Sequence, residues 1–168
     1  MTLPPVHRVV TGHDSAGKAV VVSNSLLTAV STPSGTSAMT LLWTSEGAPA
    51  DNEDAADGRD RTVGLTLAGG SVIRVVDMFP GTTAPMHRTS SLDYGIVIAG
   101  SIELILDDGV TALVEPGGVV IQRGTIHSWR NPSADQTARV AFVLLDAKPV
   151  TVGGTALQEI HPSQGHKH

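Results

Sequence analysis

Cysteine is absent from the 168 residues, which removes disulfides, thiolate nucleophiles and sulfur-ligated metal from consideration. Long apolar runs are missing too: no segment approaches the roughly 20 residues that cross a bilayer, so no membrane partner is expected. Met1-Thr-Leu-Pro-Pro-Val-His7 has no basic stretch followed by an apolar one and does not read as a secretory leader. A cytoplasmic location is the expectation. Lysine and arginine total 11 against 16 acidic residues, for a formal net charge of −5. The basic residues are scattered, so nucleic acid is not an expected partner. Aromatic residues make up only 3%, so a ligand pocket would be walled mainly by aliphatic side chains, with Tyr94 and Trp129 as its aromatic candidates. No glycine-rich phosphate loop and no Gly-x-Ser-x-Gly elbow is present.

What is abundant is valine, alanine, threonine and leucine, with 18 glycines and 10 prolines. That mixture predicts an all-β domain with many tight turns, and the length suits one domain. Val6–Thr11 and Lys18–Ser23 read as strands around a turn at His13–Gly17, Ser31–Ser37 as a loop, and Ala38–Thr44 as a third strand. Residues 45–62 are acidic and lack the register of a calcium loop, so they read as a solvated, mobile loop. From 63 onward strands and turns alternate every 8–12 residues, as in a sandwich or barrel. Ser71–Met78, Asp93–Ala99, Ser101–Leu106, Val110–Glu115, Val119–Gln122, Ile126–Arg130 and Thr137–Leu145 are the strands, with a hairpin at Asp107-Asp108-Gly109. The division is an N-terminal strand extension with its acidic loop (1–62), a barrel (63–148) and a loose C-terminal arm (149–168) with a short helical stretch at Ala156–Ile160.

Two stretches stand out. Gly81, His87, Thr89, Asp93 and Gly100 form one, and Gly117, Gln122, Gly124, His127 and Asn131 form the other. Their spacing resembles the paired motifs of the cupin superfamily, Gly-x5-His-x-His-x3–4-Glu-x6-Gly and Gly-x5-Pro-x-Gly-x2-His-x3-Asn. The second match is one residue short after its first glycine. The resemblance implies a double-stranded β-helix, the jelly-roll barrel of cupins. The His87-Arg-Thr89-Ser-Ser-Leu-Asp93-Tyr94 form is similar to small single-domain relatives, some of them in secondary-metabolite pathways. The family's metal site uses three histidines and a glutamate. Here Thr89 stands at the second histidine position and Asp93 at the glutamate position.

Two histidines and a carboxylate, His87, His127 and Asp93, would suffice for a non-haem iron or catalytic zinc centre with open positions. Iron, zinc, manganese and nickel are all candidates for a divalent metal. The same residues without metal form a tunable acid–base set suited to elimination, enolisation or isomerisation. Thr89, Tyr94, Gln122 and Trp129 are candidates to bind the substrate. The expected function is a small-molecule enzyme of lyase, isomerase or oxygenase type, with a non-catalytic ligand-binding or sensing protein as the alternative. Residues 6–44 are expected to add strands to a sheet edge, with a homodimer as the means of protecting it. His7 and His13, and His161, His166 and His168 in the tail, read as solvated.

Overall fold

A computed structural model of the chain describes residues 3–161. It is an all-β double-stranded β-helix. Two strands, β1 (Val6–His13) and β2 (Ala19–Leu27), pair with each other as a separate hairpin. β3 (Val30–Ser31) and β4 (Ser37–Ser45) follow, then β5 (Ser71–Met78), β6 (Ser91–Ala99) and β7 (Ile102–Ile105). A single 3₁₀ turn at Asp107–Gly109 leads to β8 (Thr111–Val114), β9 (Val119–Arg123), β10 (Ser128–Arg130) and β11 (Ala138–Asp146). A small hairpin, β12 (Thr151–Val152) and β13 (Thr155–Ala156), is the last of the described elements.

One barrel wall is a six-stranded sheet ordered β3-β4-β5-β11-β6-β9, and the other a three-stranded sheet ordered β10-β7-β8. The second wall is widened by the segment before β6, which bridges to β10 at Thr83–Arg130 and to the residue just ahead of it at His87–His127. The walls meet over Val76, Met78, Val97, Ile102, Leu104, Trp129, Ala138 and Val140. Alternation supplies these: on β6, Ser91, Asp93, Gly95 and Val97 point inward and are buried, while Ile96 and Ile98 point out. Gly100 sits where a Cβ would lie 2.9 Å from the Ala138 Cα, with φ +65, so the turn after β6 closes onto β11 only with glycine. On the outer face of the large sheet, Asp77 is 1% exposed and directly opposite Arg139, which donates to it from Nε at 2.7 Å and Nη2 at 2.9 Å.

Three expectations need correction. The residues from 6 to 44 do not all join the sheet edge: β3 and β4 do, whereas β1 and β2 spend their inter-strand backbone bonds on each other and touch β4 through the Arg8 side chain, which donates to the Leu42 carbonyl. The acidic loop is pinned rather than free. Arg8 on β1 donates to both carboxylate oxygens of Asp57 (2.8 and 2.6 Å) and thereby holds that carboxyl down to about 2, and Arg61 pairs with Asp54. The described part of the C-terminal arm, to residue 161, is docked, and no helix forms at Ala156–Ile160: the β12–β13 turn is followed by a two-way backbone bridge between Ile160 and Arg88 at 2.9 Å. His161 stands 3.4 Å from Glu159, and His7 hydrogen-bonds Asn24 at 2.7 Å. His166 and His168 lie outside the described residues.

Candidate active site

Each inward-facing row runs from packed core to an open end. There the barrel holds a cavity of about 450 Å3, within the usual range for small organic ligands. Val76, Met78, Trp129, Phe142 and Leu144 supply much of its apolar wall, and its polar groups include His87, Thr89, Asp93, His127 and Arg74. Gly95 makes room for the Phe142 ring, whose Cε1 would lie 3.0 Å from a Cβ there.

His87 and His127 are 40 residues apart in the chain and directly opposite in space. Their backbones exchange both hydrogen bonds, at 2.8 and 2.9 Å, and their rings lie 4.2 Å apart at 52°. That closely bonded antiparallel pairing fixes both Cβ positions. The rings continue a file: His127 meets Trp129 edge-on at 5.5 Å, and Trp129 meets Phe142 at 5.3 Å.

The His87 Nδ1 lies 3.0 Å from the Pro85 carbonyl, which can only accept, so Nδ1 carries the proton and Nε2 the lone pair. Both neighbours of the His127 ring, the Thr125 carbonyl at 3.0 Å and the Gln122 amide at 2.8 Å, fall on Nδ1 and leave Nε2 without a protein partner. Burial lowers the pKa of both imidazoles; His127, repelled also by His87, falls to about 4. Both are neutral bases at pH 7.

Asp93 lines the same cavity at 5% exposure. Burial raises its carboxyl to about 6, against the lowering effects of Ser91 and then of Arg74. Its Oδ1 is buried without a hydrogen-bond partner. Thr89 is turned to Ser91, hydroxyl to hydroxyl at 2.8 Å.

The seven residues singled out in sequence therefore divide. His87, Thr89, Asp93, His127 and Trp129 line the cavity, and Tyr94 and Gln122 do not. Tyr94 has the wrong parity: it alternates with the buried Asp93 and Gly95 and leans away from the interior. Gln122 is 4% exposed but spent on Thr125 and His127, so it orients an imidazole instead of touching ligand. A cluster of three ligands for a divalent ion does not fit this arrangement: among the described residues no group of three or more His, Asp or Glu side chains is placed to share one ion. The imidazoles face each other, while the charged residue acting on Asp93 is Arg74. Arg74 is the charged residue of the lining that sequence reading missed. A charged residue sharing parity with Val72, Val76 and Met78 inside a strand was the available signal.

Comparison with known proteins agrees with the architecture. The Cupin_2 family, described as a cupin domain, matches residues 74–144. The cupin-domain-containing oxidoreductase fogC of Aspergillus ruber is 36% identical over 162 residues, 93% of this chain and 80% of that protein. Phomopsin biosynthesis cluster protein C' of Diaporthe leptostromiformis is 49% identical over 94 residues, and the match covers 56% of this chain and half (50%) of that relative's length. Among solved structures, the Schizosaccharomyces pombe Cnp3 cupin domain superposes with a TM-score of 0.52 at 15% identity, covering 83% of this chain and 87% of that one.

Proposed function

This chain belongs to the cupin superfamily, and from that premise we propose that it is a small-molecule enzyme of lyase or isomerase type acting on an organic metabolite in the barrel cavity. The observation that carries the proposal is the imidazole pair, two neutral rings 4.2 Å apart in a largely apolar cavity. His87 Nε2 takes a proton from the substrate, and His127 serves the same proton inventory from the facing strand. Desolvation keeps both rings uncharged before reaction, and so able to accept a proton, although it makes them weaker bases. Asp93, raised to about 6, is the group through which a proton can be returned. No step here runs through a metal.

A second reading, an oxidoreductase or oxygenase, is favoured by the printed names of fogC and of the cupin-domain-containing oxidoreductase virC of Hypocrea virens, 32% identical over 90% of this chain and 81% of that protein. A divalent metal would supply its redox chemistry, with the two imidazoles as candidate donors. The relatives' names also support a place in secondary metabolism. A second copy of the chain is proposed to cover the exposed Val20, Val21, Val22 and Leu26 of β2; a monomeric mass by light scattering at micromolar concentration refutes it.

Purified protein is to be tested against metabolites that accumulate when its gene is disrupted, with mass spectrometry as the readout. His87→Ala and His127→Gln are expected to lower turnover at least ~100-fold while substrate still binds. Binding without turnover in the wild type would make the protein a sensor and overturn the enzyme reading. Activity that survives exhaustive chelation rejects the metal-dependent version, and stoichiometric first-row metal lost in His87→Ala supports it.

A further inference from the structure

Arg74 projects from β5 into the cavity and is only 9% exposed. Its Nη2 donates to the carbonyls of Gly64 and Leu65, both at 2.8 Å, which clamps one corner of the guanidinium to the wall. The other corners are idle. Nη1 meets only the sulfur of Met39 at 4.0 Å, and Nε is buried with no partner. Among the described residues Arg74 forms no ion pair. It is the sole lysine or arginine among the described residues of the lining.

Burying an arginine costs free energy unless an anion or several acceptors compensate it. Buried donors in folded proteins are nearly always satisfied, so a guanidinium that lines a cavity with its Nη1 met only by a sulfur marks where a ligand oxygen belongs. Asp93 acts on Arg74 through its charge but makes no hydrogen bond to it, so it does not fill that role. Held in place through Nη2 by two carbonyls, the guanidinium is fixed and offers Nη1 as a charged donor to one oxygen of an anion.

We propose that Arg74 is the specificity-determining residue of the cavity and that the substrate is a largely apolar organic acid whose carboxylate it holds. This deepens the enzyme reading above and rests on it for the word substrate. With the carboxylate on Arg74, the apolar body lies along Val76, Trp129, Phe142 and Leu144, and the file of rings ends at the two histidines.

The test is calorimetric titration at neutral pH with two probes of one shape, 2-naphthoate and 2-naphthamide. Wild type is expected to prefer the carboxylate by about tenfold or more, and Arg74→Met to bind the two equally. Arg74→Lys, which keeps the charge but loses the Nη2 clamp that fixes the donor, is expected to keep only part of the preference and decides the matter if Arg74→Met does not fold. Equal affinities in the wild type, binding of neither probe, or a preference unchanged in both Arg74 variants overturns the proposal. A preference lost in His127→Gln but kept in Arg74→Met places the anion on the imidazoles and also overturns it. A preference that obeys Arg74 while His127→Gln retains full turnover sinks the proton-transfer reading and leaves the arginine subsite standing.

Discussion

Two buried groups facing one cavity titrate in opposite directions, and their effects on stability should nearly cancel. In an unfolded chain an imidazole and an aspartate titrate near 6.5 and about 3.9. In the fold, His127 is lowered to about 4, mainly by burial, and Asp93 is raised to about 6, mainly by burial. For His127 the unfolded chain binds the extra proton, so stability is whole above 6.5 and is lost as pH falls toward 4. For Asp93 the folded chain binds it, so stability is whole below about 4 and is lost as pH rises through 6. At about 1.4 kcal/mol per pKa unit, each contributes on the order of 3 kcal/mol, with opposite sign over the same window. His87 is lowered too and adds to the His127 side. Urea unfolding from pH 4 to 7, with EDTA present so that the side chains titrate as free groups, reads the balance. The wild type is expected to show a shallow dependence. Asp93→Asn should steepen it, losing about 3 kcal/mol on acidification, whereas His127→Gln should flatten or invert it. Parallel curves for all three proteins would refute the reasoning.

Other consequences are simpler to test. Val97→Ala removes two methyl groups at 1% exposure between the two walls and is expected to cost about 2 kcal/mol by denaturant titration. Asp77→Ala strands Arg139 against the large sheet and should cost about 3 kcal/mol, and the double variant with Arg139→Met should recover much of it. Gly95→Ala drives a Cβ to 3.0 Å from Phe142 and is expected to cost about 1–3 kcal/mol and to shrink the cavity, read as weakened binding of 2-naphthamide.

The barrel was legible in sequence because turns are chemically local. Asp107-Asp108-Gly109 and Gly100 announce their geometry through residues that tolerate positive φ, and both turns form. His87 and His127 were legible through motif spacing alone; nothing in either segment states that their backbones bond to each other. Arg74 was not legible because a lone charge in a strand looks the same whether it faces solvent or a cavity. Only the register of β5 against β11, with Arg74 opposite Phe142, decides that. Tyr94 failed for a related reason: proximity in sequence to Asp93 means opposite faces in a strand. The tail failed because its anchor is long-range, a backbone bridge across 72 residues, from Arg88 to Ile160.

That bridge gives the chain's far end a mechanical grip on its reactive segment. Arg88 is the peptide neighbour of His87, and it is held on both sides, by the His127 strand through its neighbour and by Ile160 through its own amide and carbonyl. The Ser90 amide donates to Glu159 in addition, at 2.9 Å. Force applied at residue 161 therefore pulls on a short lever. Anything that peels 157–161 away frees one flank of the histidine strand, and loss of register there would separate the two rings before the barrel itself unfolded.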